Sequence, residues 1–427
     1  MPTICRSVVV LLVVADLAAC HSQERESIDS IAREYVLLAL QLNTHDEGYV
    51  DAYYGDRAWR DEAEASPAPM SLINERAEKL LAAADAYVQS EASEEFSRAR
   101  YLQRQISAML ARIEILQGKQ LSFDEEALAV YDSRPPRYAE AHFDSVLAEI
   151  DALVPGSGSL TDRVEAFRME FVIPYDRLDA VLREAMNECR ERTAAHIRLP
   201  EGERFTIEYV TDKPWSGYNW FKGDAVSLIQ INTDSQVRIE RAVDLACHEG
   251  YPGHHVLSIL REKRFRDDGW VEFSLLPLYA PVAPIAEGSA NYGNEVAFPG
   301  NQRVAYEREV LFPLAGLDAS RADLYYRLLE LGSALDFAQN EAARRYLSGE
   351  WDTERTVNWL MKYQLKSKQR ARQTVRFIDT YRAYVINYNY GQELVRRYID
   401  TQGATHDEVW EVFQRLLAAP VVPSDLY

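Results

Sequence analysis

His248-Glu249-Gly250-Tyr251-Pro252-Gly253-His254-His255 holds three of the chain's eight histidines, with a carboxylate beside the first and a Pro-Gly pair before the other two. On an unbroken helix His254 lies roughly 120° off the face of His248, and His255 lies nearly in line with it but about 10 Å further along. Neither can meet His248 there. Pro252 interrupts the i to i−4 hydrogen-bond ladder, and Gly253 makes a distortion cheap. The stretch therefore predicts a helix that bulges or breaks at Pro252-Gly253 and returns one histidine towards His248. A bulge absorbing two residues selects His254, and one absorbing three selects His255. His254 is the expected partner, and the remaining imidazole is expected to meet substrate or to support the site.

Two neutral imidazoles and a carboxylate are the donors of a Zn²⁺ site, and a free carboxylate beside them can deprotonate metal-activated water. The usual spelling, H-E-x-x-H, places two histidines on one helix face. Here Pro252 occupies the fourth position after His248, so only a rebuilt turn can supply the second ligand. Glu287, on a separate predicted helix, is the expected third ligand, which leaves a fourth position open to water. Glu249 is the expected general base. Asp244 and Asn291, each one helical turn from a ligand, are candidates to orient the imidazoles.

Near the C-terminus Tyr381, Tyr384, Tyr388 and Tyr390 crowd Asn387, Asn389 and Gly391. The spacing of Tyr381, Tyr384 and Tyr388 reads as one aromatic stripe on a helix. Tyr388 is singled out as a phenol that can donate to an oxyanion, a role His255 could share. These residues point to a zinc-dependent hydrolase of peptide bonds. Two other readings use the same residues: a non-haem Fe(II) enzyme built on the two-His-one-Glu set, which leaves Glu249 without a task, and a non-catalytic peptide-binding protein of the cell envelope.

With 427 residues, 47% of them hydrophobic, the chain can bury a substantial core. Its net charge of −20, from 47 basic and 67 acidic residues, disfavours nucleic acid as a partner. Residues 7–15 form an apolar run too short for a stable bilayer anchor, which suits a signal peptide over residues 1–19. It ends in Leu17-Ala18-Ala19-Cys20, which resembles the bacterial lipobox. That resemblance implies cleavage before Cys20, a lipidated Cys20 with a short tether over 20–25, and attachment to a membrane. His21 in the next position favours, by the same resemblance, the outer membrane facing the periplasm. With Cys20 lipidated, only Cys189 and Cys247 remain as thiols in the mature chain, so no disulfide framework is expected, and Cys247 reads as a small buried helix residue.

Helical periodicity dominates 26–200, which predicts an N-terminal helical lobe, with residues 201–427 forming the catalytic one. Runs 205–210 and 226–231 read as short strands, the second as the free edge that pairs with extended substrate. Thr233 and Gln236 read as a capping box that starts the helix leading into His248. The expected fold is mainly α, a zincin-like helical metallopeptidase fold with a small β-sheet beside the active-site helix.

The octapeptide also resembles the signature H-E-x-x-P-G-H-H of a bacterial family known as domain of unknown function 885. In that family an E-G-W-A-x-Y element follows, matched here by Glu287-Gly288-Ser289-Ala290-Asn291-Tyr292 with Ser289 in place of Trp. A third element, S-Y-x-x-G, is matched by Tyr388 and Gly391 within Asn387-Tyr388-Asn389-Tyr390-Gly391, while the P-G-Q-A that precedes it in the family has no counterpart at 381–384. The resemblance covers mainly residues 226–391. It implies a mostly helical zincin-like fold with a deep cleft, related to thimet oligopeptidase and angiotensin-converting enzyme, and lipoprotein relatives.

Overall fold

The computed structural model describes residues 27–89, 94–213 and 215–427. The expected signal peptide, the expected 20–25 tether and Cys20 lie outside these residues. The fold is mainly α-helical with two small sheets. No helix among the described residues is long and apolar enough to cross a membrane.

Nine helices organise the description: α1 (Ile28–Asn43), α2 (Met70–Val88), α3 (Glu94–Leu116), α4 (Tyr175–Ala194), α5 (Glu240–Leu245), α6 (His254–Asp268), α7 (Val282–Ala297), α8 (Ile386–Asp400) and α9 (His406–Ala418). Ser27 caps α1 by accepting from Ser30 N, and Thr405 with Glu408 forms a full capping box on α9. Apolar faces of α1, α2 and α3 pack together through residues such as Tyr35, Ile73 and Ile106, all essentially inaccessible. The buried residues form one continuous cluster from Ile28 to Leu426.

The first sheet pairs β1 (Val50–Tyr53) with β5 (Leu275–Pro277), antiparallel, with an irregularity between Val50 and Ala52. Residues 46–55, whose Tyr and Gly content suggests a loop, thus carry a strand that joins the two halves of the chain. The second sheet has the order β2 (Arg204–Val210), β4 (Val226–Asn232), β3 (Gly217–Phe221). Here the expectation for 226–231 is corrected. β4 is the central strand, parallel to β2 and antiparallel to β3, so its backbone groups are already paired on both sides. The edge that borders the cleft is β3.

The capping box at Thr233 is also corrected. Thr233 Oγ1 donates to Val210 O, and both Ile173 N to Val237 O and Ile239 N to Phe171 O are backbone bonds. Residues 233–239 are tied to neighbouring extended chain, and the helix opens only at Glu240, without a side-chain cap.

The central helix pair is α7 and α8, which cross with their backbones in contact. A Cβ on Gly288 would stand 2.3 Å from Gly391 C, and one on Gly391 would stand 2.6 Å from Pro284 O. Only glycine permits this approach. It brings the helix bearing Glu287 against the helix bearing Tyr388.

Candidate metal centre

The helix α5 does not continue as an α-helix into the motif. It passes into a π-helical turn, Ala246–Gly250, then a cis Tyr251–Pro252 bond, and restarts as α6 at His254. Tyr251 N bonds to Ala246 O and Gly253 N to Cys247 O, so the wide turn satisfies backbone groups that a straight helix would have paired otherwise. Gly253 sits directly on this turn: a Cβ there would lie 2.0 Å from His248 O and 2.4 Å from Cys247 O. The bulge thus turns His254 back onto His248.

His248, His254 and Glu287 form a group that could hold a metal ion, with one donor atom from each inside 4.8 Å of the others. The Nε2 atoms of His248 and His254 are 3.1 Å apart, and Glu287 Oε2 lies 3.4 Å from the first and 3.8 Å from the second. Three ligands of a tetrahedral Zn²⁺ site at about 2.1 Å from the ion are roughly 3.4 Å from one another. The triangle therefore has the size such an ion requires. Glu287 Oε2 is buried and makes no well-formed hydrogen bond despite its proximity to both imidazoles. A buried carboxylate oxygen without a bond is costly, and a bound cation would relieve that cost.

The supporting contacts hold each donor. His248 Nδ1 faces Asn291 Oδ1 at 2.9 Å, while Asn291 Nδ2 donates to Tyr388 O at 2.8 Å. The second bond fixes the amide so that its oxygen accepts Nδ1–H, and the Nε2 lone pair of His248 is left for a metal. Tyr384 Oη donates to Glu287 Oε1 at 2.9 Å, which leaves Oε2 for the same purpose. Asp244 does not join this group. Its carboxylate pairs with Arg303 at 2.8 Å and Arg241 at 3.3 Å, far from the orienting role the sequence suggests. We expect Asn291→Ala to lower zinc affinity by about 10- to 100-fold, read by chelator competition, with little change in fold.

Electrostatics agree with a site built for a cation. Burial penalises a charged His254, but the adjacent Glu287 carboxylate, with Glu249 and Asp51 beyond it, outweighs that and lifts its pKa to about 9. Glu287 is likewise burdened by burial, yet its contacts with His248 and His254 hold it far below the usual carboxylate range. With its pKa raised, His254 carries a proton beside the Glu287 carboxylate at neutral pH. A metal taking this site would have to displace that proton, so we expect affinity to rise with pH, by up to about tenfold per pH unit, and to level off above about 9. Zinc titrations between pH 6 and pH 10 read this directly, and a flat profile would contradict it.

Glu249 lies next to His248 and lines the same cleft. Its carboxylate rests against strand β3, where a Cβ on Gly217 would come within 2.8 Å of Oε1. Asn219 Nδ2, also on β3, donates to the Glu249 carbonyl. Tyr388 lines the cleft too, is 38% exposed, and meets Tyr384 edge-on at 5.8 Å. Desolvation, and then the charges of Glu287 and Glu249, push its phenol well above its ordinary pKa, so it remains a neutral donor.

His255 is corrected: it has no access to this cleft. It is 0% exposed, with Nδ1 2.7 Å from Ser227 Oγ and Nε2 3.1 Å from Glu203 Oε1. Ser227 Oγ donates onward to Asn219 Oδ1. Glu203 also takes bonds from Tyr251 Oη and Arg190; burial opposes its charge, but these contacts and His255 lower its pKa to about 2. His255 therefore joins α6 to the chain entering β2 and, through Ser227, to β4 and β3, and has no ring nitrogen to offer an oxyanion.

Two contributors escape the sequence reading. Tyr384 looks like part of a packing stripe, but the helix breaks at Arg382, whose φ is +52°, and this reorients the turn that carries Tyr384. Asp51 on β1 reaches the cleft and accepts from Tyr218 Oη. Burial raises its pKa, with Glu287 adding to the effect. No local pattern around Asp51 signals this, because β1 is brought to the cleft by long-range contacts, its pairing with β5 and the Tyr218 bond.

The cleft occupies about 2750 Å³ and is bordered by β3, α7, α8 and the helix Lys368–Tyr381. Trp215, Tyr218 and Trp220 form a run of touching rings along its β3 side.

No family model matches the chain, and no curated protein matches it at a significant level. Among solved structures it is similar to "the putative lipoprotein from Colwellia psychrerythraea", with a TM-score of 0.54 and 14% identity over 84% of this chain. It spans 64% of that protein's length. A "putative lipoprotein of unknown function from Shewanella oneidensis" gives a TM-score of 0.44 and 12% identity, with 86% of this chain and 74% of that one covered. The first likeness shows a shared fold.

Proposed function

We propose that this chain is a zinc-dependent hydrolase of zincin-like construction that cleaves short peptides. The observation that carries the reading is the convergence on one cleft of the His248, His254 and Glu287 donors and the Glu249 carboxylate beside them. Zn²⁺ in this donor set supplies Lewis acidity, which polarises a carbonyl and makes water a nucleophile near neutral pH. Glu249 takes the proton from the attacking water and passes it to the leaving amine. Tyr388 donates its phenol proton in a hydrogen bond to the developing oxyanion.

Strand β3 supports a peptide as substrate. It is an edge strand on the cleft, so an extended chain can pair with its free backbone groups while its own side chains meet Trp215, Tyr218 and Trp220. Placement in the bacterial envelope, with lipid on Cys20 and the protein facing the periplasm, rests on the leader sequence alone. The experiment is a peptide-library digest by purified protein, followed by chelation and zinc addition. Cleavage that stops on chelation and returns with zinc is the expected result. A zinc-loaded protein that binds peptides but cuts none would leave a binding function in its place.

A further inference from the structure

Cys189 on α4 and Cys247 on the π-helical turn are both fully buried, and their Sγ atoms stand 2.6 Å apart. That is closer than two unbonded thiols rest. Burial, with the neighbouring Cys247 adding to it, pushes the Cys189 thiol well above its ordinary pKa, so neither a reactive thiolate nor an exposed redox sensor is indicated. The packing around the pair is equally close: Gly250, on the same turn as Cys247, faces Met186, one helical turn before Cys189, and a Cβ on Gly250 would come 2.4 Å from Met186 Sδ. The turn and α4 are thus in direct contact along this face.

We propose that Cys189 and Cys247 form a disulfide in the mature protein, which ties the turn bearing His248 and Glu249 to α4. Two thiols join through one S–S bond and give up two protons and two electrons. A disulfide-carrying oxidant of an oxidising compartment accepts them by thiol exchange and is itself reduced to a dithiol. Because both sulfurs are inaccessible in the folded chain, exchange precedes closure of the core, and the finished bond is shielded from reductants. The bridge closes a segment of 58 residues, which restricts the unfolded chain, and its anchor adjoins the first metal ligand.

The test exports the full chain with its own leader in a bacterial host, purifies it without reductant, alkylates it after denaturation and maps the peptides by mass spectrometry. The peptides containing Cys189 and Cys247 are expected as one cross-linked species that separates on reduction. A parallel arm refolds the reduced, denatured chain in a glutathione redox pair. A cross-link in that arm alone supports the pairing and assigns the failure to the export reading. Recovery of both cysteines as separately alkylated peptides in both arms overturns the proposal. As a second measurement, wild type denatured and refolded in reductant should unfold at a lower temperature than the oxidised protein, while Cys189→Ala treated alike should be unchanged. A wild type insensitive to reductant, even after denaturation and refolding in its presence, would also overturn it.

Discussion

Glu249→Gln is expected to lower peptide hydrolysis by about 10²- to 10⁴-fold, the usual contribution of a positioned general base, while zinc uptake stays at the wild-type level. The amide keeps the shape of the carboxylate and its place against Gly217, so the fold and the His248, His254 and Glu287 donors are undisturbed. What disappears is a proton acceptor beside the ligand group. Parallel measurement of kcat/KM and of bound zinc separates the two effects. Full activity in the variant would remove Glu249 from the mechanism and favour a chemistry, such as that of a non-haem Fe(II) site, in which the residue has no task.

The second large effect is expected at Gly253. An alanine Cβ there would meet two backbone oxygens, at 2.0 Å from His248 and 2.4 Å from Cys247, and neither can swing aside as a side chain can. Relief requires the π-helical turn to open, which separates His254 from His248. We expect Gly253→Ala to destabilise the protein by about 3 kcal/mol, the upper end of typical overpacking costs, and to lose stoichiometric zinc. Chemical denaturation and metal analysis check both. A control at Gly118 isolates the cause: it lies where a Cβ would meet nothing within 4 Å, so its alanine variant carries only the strain of a φ of +100° and should still bind zinc.

The ligand helices are legible in the sequence for local reasons. Pro252 and Gly253 forbid a straight helix, and the structure shows the distortion as a π-helical turn that pairs His254 with His248. Strands 205–210 and 226–231 carry enough β-branched and apolar residues to be seen, and they recur as β2 and β4. Strand order is another matter. Gly217-Tyr218-Asn219-Trp220-Phe221 has a glycine at its start and another soon after its end, and no clean alternation, so the true edge strand reads as a connection.

The remaining gaps are all long-range. His255 resembles a catalytic residue until Glu203, just before β2, and Ser227, on β4, enclose it. Asp51 and Tyr384 enter the site through a distant strand pairing and a backbone break at a non-glycine residue. Gly288 and Gly391 stand in family-like motifs, but only the crossing of α7 and α8 explains them as a steric requirement of the helix pair that carries Glu287 and Tyr388.

One catalytic-type zinc held by His248, His254 and Glu287 is the centre of the proposed chemistry. Its most direct measurement is X-ray absorption at the zinc edge on protein reconstituted with one equivalent of the metal, compared with Glu287→Ala. The account predicts a stoichiometric, four-coordinate site with two imidazoles at about 2.0–2.1 Å and oxygen donors completing it, and a loss of that site in the variant. A wild type that takes up no stoichiometric zinc, or a spectrum unchanged in Glu287→Ala, would contradict it.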